Sequence, residues 1–214
     1  MRVVVLLSGG MDSAVLAWQL RADGYEVSAL SVLYGQRHSR EVESARAVAA
    51  AGGFPHRVVD LEALRAVMGG SALTDSVPVP HGHYADESMR STVVPNRNMV
   101  LLAVAGAMAA SVGAEAVAYA AHAGDHAIYP DCRPEFVAAM ARALALCHYG
   151  KIALLAPFAG MSKGDIARTG VALGVPFGLT WTCYEGGAVH CGRCGACTER
   201  REAFTGLDDP TEYA

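Results

Sequence analysis

The sequence predicts an α/β fold in which a doubly wound, mostly parallel sheet is covered by helices on both faces. Two observations lead to this class. Short apolar segments rich in β-branched residues alternate along the chain with segments of helical pattern, and the first apolar segment runs directly into a glycine-rich turn. The chain has 214 residues and a formal net charge of −4, and this size suits one such core with a small appendage.

The alternation predicts five strands and five helices. We expect strands at residues 3–7, 27–33, 56–61, 116–120 and 152–155, because each is a short run of mostly apolar residues. We expect helices at residues 13–22, 40–51, 98–112, 134–146 and 163–173. Gly24 ends the first helix, Gly52 and Gly53 end the second, and Pro134 begins the fourth at a position where its missing N–H costs nothing.

Residues 69–95 interrupt this alternation with Gly, Pro, Ser and His residues. A loop of this length inside a compact domain is typical of a lid, a binding loop or a partly ordered segment. Because ligands of open α/β sheets bind beyond the carboxyl ends of the strands, we expect residues 8–13, residues 34–38 and the turn after Ala121 to lie together at that edge.

The domain organisation predicted is a main α/β domain over residues 1–178, with a cysteine-rich segment over residues 179–214 packed on it. Residues 99–114 are the most apolar run, but their Ala and Gly content and short length favour a buried helix over a membrane span. The N-terminus lacks the features of a signal peptide, so we expect a cytoplasmic protein with no membrane attachment. In that reducing compartment, the six cysteines favour metal binding or catalysis over disulfides.

The glycine-rich turn, SGGMDS at residues 8–13, is predicted to bind phosphate. Gly9 and Gly10 allow a sharp turn and a close approach of the ligand to the backbone, and the helix that follows adds its positive end. A Walker A loop would carry a lysine on the β- and γ-phosphates, whereas here Asp12 and Ser13 stand in that place. The alternative is an ordinary strand-turn-helix in which the glycines serve geometry alone.

The SGGMDS string resembles the signature of the PP-loop ATP pyrophosphatases, which hold the β,γ-pyrophosphate while a substrate oxygen attacks the α-phosphorus. The resemblance implies that ATP binds with Mg²⁺ and that the products are an adenylated substrate and pyrophosphate. The residues it implies for ATP binding are Ser8, Gly9, Gly10, Met11, Asp12, Ser13 and Ala14.

Four cysteines near the end of the chain have the spacing of a metal site. Cys183, Cys191, Cys194 and Cys197 form the pattern C-x7-C-x2-C-x2-C, which suits tetrahedral Zn²⁺ in a closed, structural site. An iron–sulfur cluster, a redox Cys-x2-Cys pair, or a site in which His190 replaces one cysteine are the alternatives.

Five further segments resemble one PP-loop branch, the 7-cyano-7-deazaguanine (preQ0) synthases of the QueC family. They are YGQRH from Tyr34, VPNRN from Val94, YPDCRPEF from Tyr129, MSKGDI from Met161, and TWTCYEGG running into CGRCGAC from Thr180. The resemblance implies a homodimer with Zn²⁺ on the four cysteines. It also implies conversion of 7-carboxy-7-deazaguanine, ATP and ammonia into the nitrile for queuosine or deazapurine biosynthesis.

The implied chemistry suits the loop. Attack of the acid on the α-phosphorus gives an acyl-adenylate, ammonia displaces AMP to give the amide, and a second adenylation of the amide oxygen leads to the nitrile. Because no enzyme nucleophile is required, catalysis consists in aligning ATP, neutralising charge and excluding water.

Because charge on the phosphates must be neutralised, we expect cationic residues and their partners to be the catalytic residues. Lys163, at a predicted helix start, is the candidate for the phosphate ligand that the loop lacks. Arg97 is a candidate for a phosphate or for the substrate carboxylate, and Asp12 for orienting the loop or binding Mg²⁺. For each of these residues the alternative is a solvated or helix-capping role.

The substrate candidates rest on weaker patterns. Asp131 and Arg133 are candidates for the guanine-like ring, whose N1–H and 2-amino group need an acceptor such as a carboxylate. His38 is a candidate for taking the proton of ammonium, with a purely structural histidine as the alternative. For Cys132 we favour a buried, apolar role over that of a nucleophile.

Other functions remain open at this point. tRNA thiolation, an amide synthetase and attachment of a deazaguanine to a protein are alternatives within the PP-loop enzymes, and a nucleotide-sensing or zinc-ribbon module is a non-enzymatic one. The charge balance of −4 provides no basic field for a polyanion, so we expect a small substrate and no nucleic acid as the main partner.

Overall fold

The structure is a computed structural model that describes residues 1–83 and 87–214. Within these residues the chain forms a five-stranded, all-parallel sheet in the order β3-β2-β1-β4-β5. The strands are β1 (Arg2–Leu6), β2 (Glu26–Leu33), β3 (His56–Asp60), β4 (Ala116–Ala118) and β5 (Ala153–Leu155). The strand order reverses between β1 and β4, and an open sheet of this kind has its crevice at such a point.

The helices alternate with the strands. They are α1 (Met11–Ala22), α2 (Arg40–Gly52), α3 (Arg97–Val112), α4 (Pro134–Leu146), α5 (Lys163–Ala172) and α6 (Gly195–Ala203). Short 3-10 helices lie at Glu62–Ala66, Glu87–Thr92, Ala123–Ala127, Pro130–Cys132 and Phe177–Leu179. The predicted α/β class is confirmed, and each predicted strand and helix is present with ends shifted by at most two residues.

The two faces of β1 are buried in two different cores, because successive side chains of a strand point to opposite sides. Val3 and Val5 pack in a cluster that includes Leu16 of α1 and Ile166 of α5. Val4 belongs to a second cluster on the other face, with residues from α3 and α4. The strands are therefore covered on both sides, as a parallel sheet requires.

Helix α6 was not predicted from the sequence. Its residues include one of the four cysteines and four charged side chains, and no apolar stripe of the usual width marks it. The helix packs on α5, with Ala203 and Phe204 in the same core as α1.

Residues 69–95 are partly built into the fold. Ala72 donates its N–H to Ser91 O at 2.7 Å, and Met89 is fully buried. Residues 84–86 of the predicted loop lie outside the described residues. In the described ranges, none of the helices has the length and apolarity that a membrane crossing needs.

Candidate active site

The glycine-rich loop connects β1 to α1. At Gly9 its backbone adopts a conformation, and packs so closely against its neighbours, that a residue with a side chain would not fit. Gly9 has a φ of +91°, and a Cβ at this residue would clash with the backbone oxygen of Glu41 and lie 2.9 Å from the nitrogen of Ala45. Helix α2 therefore packs directly against the loop. This close approach explains why a glycine stands at position 9.

Two serine hydroxyls hold the loop closed. Ser13 Oγ accepts the N–H of Ser8 at 3.1 Å and donates to Gly10 O at 3.1 Å. Ser8 Oγ accepts the N–H of Gly10 at 3.2 Å and lies 3.0 Å from Ser13 Oγ. These bonds fix the turn at the N-terminus of α1, a place where backbone N–H groups are suited to bind an anion.

Lys163 reaches this loop from α5. The helix begins with a capping box in which Ser162 Oγ accepts the N–H of Asp165 at 3.2 Å and the carboxylate of Asp165 accepts the N–H of Ser162. Lys163 Nζ lies 3.2 Å from Asp12 Oδ2 and 2.5 Å from Glu199 Oε2. The start of α5 thus places a cation beside the loop.

The two carboxylates respond differently to this shared cation. Burial acts to raise the pKa of Asp12, but Lys163 and His122 outweigh it and that pKa is lowered. Burial raises the pKa of Glu199 in spite of Lys163. Burial acts to lower the pKa of Lys163, and the two carboxylates reverse this, so its pKa is raised and the side chain stays protonated.

A second capping box follows β4 beside this cluster. The ring of the fully buried His122 accepts the N–H of Gly124 through Nδ1 at 3.1 Å, and its Nε2 lies 3.6 Å from Asp125 Oδ1. Asp125 also accepts the N–H of His122. The turn after Ala121 therefore lies at the same edge of the sheet as the loop, as the sequence predicted.

A cavity of about 240 Å³ opens at the carboxyl ends of the strands. Its lining combines the glycine-rich loop, the ends of β1 and β2, Arg97, Glu41, and the segment from Trp181 to Tyr184. Asp12 Oδ1 and Tyr119 Oη are buried without a hydrogen-bond partner among the described residues, and both residues line the cavity. Unpaired buried polar atoms indicate a ligand that pairs with them.

Arg97 is placed in the cavity by the start of α3. Its guanidinium carbon lies 5.8 Å from the ring centroid of Tyr129. Burial acts to lower the pKa of Arg97, but Tyr34 and Asp131 more than compensate and the pKa is raised. The cavity therefore carries a permanent positive charge on the wall formed by α3.

The four cysteines come together as one group. The sulfur atoms of Cys183, Cys191, Cys194 and Cys197 all lie within 4.8 Å of one another. Backbone N–H groups of Glu185 and Cys191 donate to Cys183 Sγ at 3.4 and 3.3 Å. Four thiols in this arrangement fit a tetrahedral metal ion that leaves no ligand position open.

This segment is bonded to the loop and to the core. The backbone N–H of Trp181 donates to Gly9 O at 2.9 Å. Arg200 is fully buried and donates to Thr180 Oγ1, Phe177 O and Asp209 Oδ1. The predicted boundary between residues 178 and 179 falls inside this network, and the division into two units stays a prediction.

Comparison with known proteins agrees with this geometry. A family model described as "Queuosine biosynthesis protein QueC" matches residues 2–208. The chain belongs to the QueC family. The 7-cyano-7-deazaguanine synthase of Caldicellulosiruptor bescii is 52% identical over 215 residues, covering 100% of this chain and 97% of that protein. The synthase of the same name from Methanoregula boonei is 51% identical, covering 100% and 99%.

Solved structures with more distant sequences share the fold of this QueC chain. The NH3-dependent NAD synthetase of Campylobacter jejuni superposes with a TM-score of 0.50 at 18% identity, covering 83% of this chain and 66% of that one. A 4-thiouridine synthetase in complex with RNA and ATP gives a TM-score of 0.52 at 20% identity, covering 81% and 41%. At these identities the similarity concerns the fold alone.

Within this QueC chain, two predicted substrate residues are not part of the cavity lining. Asp131 Oδ2 accepts the N–H of Asn98 at 2.9 Å and so caps α3. Arg133 is exposed and donates from Nε to His126 O at 2.9 Å. Neither residue lines the cavity, although Asn98, the partner of Asp131, does, and their contact with the ring stays a prediction.

Two more candidates are His38, which is not part of the cavity lining, and Cys132, which is. His38 packs against Gly186, and its Nδ1 is buried with no hydrogen-bond partner in the described part of the chain. Cys132 is buried, lines the cavity and accepts a bond from Asn98 Nδ2 at 3.2 Å. Burial raises the pKa of its thiol, and a neutral thiol is a poor nucleophile.

Sequence reasoning missed Glu199, His122, Asp125 and Glu41. Glu199 belongs to the unpredicted α6, two residues after the last cysteine of the cluster. His122 and Asp125 follow a strand end that the sequence had placed at this edge, so the signal for them was present. Glu41 belongs to a segment with an ordinary helical pattern, and nothing in that pattern distinguishes it from the other charged residues of α2.

Proposed function

We propose that this chain is an ATP-dependent carbon–nitrogen ligase that converts 7-carboxy-7-deazaguanine and ammonia into 7-cyano-7-deazaguanine. The observation that carries the proposal is the 52% identity, over the whole length of the chain, to a protein named for this product. The phosphate-binding loop, the cation beside it and the adjoining cavity support it.

The proposed reaction consists of two adenylation steps, each of which consumes one ATP. A carboxylate oxygen of the acid attacks the α-phosphorus of ATP, pyrophosphate leaves, and ammonia then displaces AMP to give the amide. The amide oxygen attacks a second ATP, pyrophosphate leaves, and loss of AMP and the amide protons gives the nitrile. Each oxygen of the starting carboxylate leaves with one AMP.

The residues proposed for catalysis line the cavity from the glycine-rich loop, from α5 and from α3. The backbone of the Ser8–Ala14 loop holds the pyrophosphate, and Lys163 neutralises its charge from α5. Arg97, at the start of α3, binds a phosphate or the substrate carboxylate through its planar guanidinium group. Because both cations are fixed by neighbouring groups before substrate binds, little reorganisation is needed during the reaction.

Asp12 is proposed to hold Mg²⁺ beside the loop. Its pKa is lowered and its Oδ1 is buried without a partner among the described residues, which fits a hard cation that prefers carboxylate oxygen. When bound, Mg²⁺ supplies further neutralisation of the phosphate charge.

The four cysteines are proposed to bind Zn²⁺ in a structural role. Zn²⁺ prefers four thiolates in a tetrahedron, and the closed group leaves no position for substrate. Its contribution is to fold the segment that places Trp181 against the loop and Glu199 against Lys163.

The test is mass spectrometry of the products formed from the deazaguanine acid, MgATP and ammonium, using acid labelled with ¹⁸O in both carboxylate oxygens. We expect one nitrile and two AMP molecules per turnover cycle, with one ¹⁸O in each AMP and none in pyrophosphate. Omitting ammonium should stop nitrile formation.

Other product patterns would overturn the proposal. AMP with the amide alone would indicate an amide synthetase, or a relative that attaches the deazaguanine to a protein. AMP without any change of the acid would direct attention to other acids or to a sulfur donor, and no AMP at all would indicate a binding module.

We propose in addition that the enzyme works as a homodimer in the cytoplasm and that nucleic acid is not its main partner. The net charge of −4 supports a small substrate. Light scattering of the purified protein measures the oligomeric state, and gel-shift titration with tRNA measures any affinity for nucleic acid.

A further inference from the structure

Glu41 is a carboxylate that lines the cavity from the first turn of α2. The helix holds it firmly, because its backbone oxygen contacts the loop at Gly9. Burial raises the pKa of its carboxyl group, while the neighbouring charges of His38 and Arg97 act in the opposite direction. None of the described residues donates a hydrogen bond to its carboxylate, and the residue lines the cavity.

A carboxylate at this place is unfavourable for most of what the cavity is proposed to bind. The phosphates of ATP and the carboxylate of the acid are anions and are repelled by Glu41. The edges of adenine present a donor next to an acceptor, so a carboxylate meets one favourable and one repulsive contact. The guanine ring is different, because its N1–H and 2-amino group are two parallel donors that match the two oxygens of a carboxylate.

We propose that Glu41 accepts hydrogen bonds from N1–H and the 2-amino group of 7-carboxy-7-deazaguanine and so selects the guanine-type ring. This inference rests on the proposed function and deepens it. It assigns to Glu41 the role that the sequence had suggested for Asp131, whose Oδ2 accepts the N–H of Asn98 at the start of α3.

The experiment compares Glu41→Gln with the wild-type protein on two substrates, the deazaguanine acid and its analogue without the 2-amino group. The glutamine keeps the size of the side chain but replaces one acceptor by a donor, which faces a donor of the ring. Glu43→Gln is the matched control, because Glu43 lies in the same helical turn but is exposed.

We expect Glu41→Gln to raise KM for the acid by about 10- to 100-fold, as loss of a hydrogen bond to a charged group does, with KM for ATP and ammonium unchanged. The wild type and Glu43→Gln should prefer the acid over the analogue by a similar factor, and Glu41→Gln should lose this preference. Equal KM values for Glu41→Gln and the wild type, or a change confined to KM for ammonium, would overturn the assignment.

Binding measurements separate this assignment from the proposed function. Calorimetric titration of the acid into the protein, with a non-hydrolysable ATP analogue bound, requires no turnover. If the wild type binds the acid but forms no nitrile, the proposed function fails while the effect of Glu41→Gln on binding still tests the ring contact. ATP-analogue affinity of Glu41→Gln equal to that of the wild type shows that the variant is folded.

Discussion

Lys163 Nζ lies 2.5 Å from Glu199 Oε2, although 36 residues separate the two along the chain. Glu199 follows the last cysteine of the cluster by two positions on α6. Lys163, which is proposed to take the place of a loop lysine, therefore contacts the cysteine-rich segment. Because Lys163 also contacts Asp12, this contact links the proposed metal site to the glycine-rich loop.

Replacing Lys163 with methionine should separate catalysis from stability. Lys163→Met removes the cation at the loop, and we expect kcat/KM for AMP formation to fall by about 100-fold or more. It also leaves Asp12 and Glu199 without their shared ammonium, which should lower the free energy of unfolding by about 3 kcal/mol. AMP release and urea denaturation measure the two effects.

The control is the double variant Lys163→Met with Glu199→Gln. Because the second change removes one uncompensated carboxylate, stability should return in part, by about 1 kcal/mol or more, while activity stays low. Recovery of activity in the double variant would show that Lys163 serves only to neutralise Glu199.

The sequence predicted the parts of this site that depend on local order. The SGGMDS string, the strand before it and the helix after it specify the loop, and the serine and aspartate around Lys163 specify a helix cap. What brings Lys163 to Asp12 is the packing of α5 on α1, and what brings Glu199 to Lys163 is the packing of α6 on α5. No spacing in the chain encodes those contacts.

Asp131 illustrates the opposite case. Its chemistry suits a guanine ring, but the backbone N–H of Asn98, in the first turn of α3, has no partner within the helix and donates to Asp131 Oδ2. The free N–H groups at the start of a helix bind a nearby carboxylate, and the tertiary fold determines which carboxylate lies there. Residue type alone therefore does not predict which partner a carboxylate takes, because that depends on the tertiary fold.

Gly9→Ala should disrupt the loop. A Cβ at this position would clash with Glu41 O of α2, and we expect loss of AMP formation together with a lower melting temperature. Gly24→Ala is the control, because Gly24 has a similar φ of +85° and no atom within 4 Å of its Cβ position. That variant should lose only about 1 kcal/mol of stability from the left-handed backbone and stay active.

Cys132→Ser should leave the reaction nearly intact. The thiol is buried, its pKa is raised, and the proposed chemistry uses no enzyme nucleophile. We expect kcat to change by less than about threefold, since a serine hydroxyl can keep the hydrogen bonds that the thiol makes with Asn98 and Asp125. Trapping of a covalent adduct on Cys132 during turnover, or a loss of kcat of several hundredfold, would contradict this mechanism.

The cysteine cluster should contain one Zn²⁺ per chain by plasma mass spectrometry. Cys197→Ser removes one ligand and should lower both the zinc content and the free energy of unfolding, the latter by about 3 kcal/mol or more. Cys147→Ser is the control, because Cys147 is exposed and lies outside the cluster. Iron in place of zinc, or full stability without any metal, would contradict the assignment.

Asp209→Asn should destabilise the C-terminal segment. Arg200 is fully buried and its guanidinium donates to Asp209 Oδ1 at 3.2 Å, so the variant leaves a buried charge without its counter-ion. We expect a loss of about 3 kcal/mol at pH 7 by urea denaturation. Asp208→Asn is the control, because Asp208 is exposed.

The effect of Asp209→Asn should depend on pH with a defined sign. Burial acts to raise the pKa of Asp209, but Thr211, Arg200 and Tyr213 outweigh it and that pKa is lowered. The contribution of Asp209 is therefore fully present above its unfolded-state pKa of about 3.9 and is lost as the pH falls through the lower, folded-state value. The difference in unfolding free energy between wild type and variant should be constant from about pH 5 to 8 and shrink below about pH 4. Both proteins carry the same four cysteines, so loss of metal in acid affects them alike, and a difference that grew on acidification would show that Asp209 is not the counter-ion of Arg200.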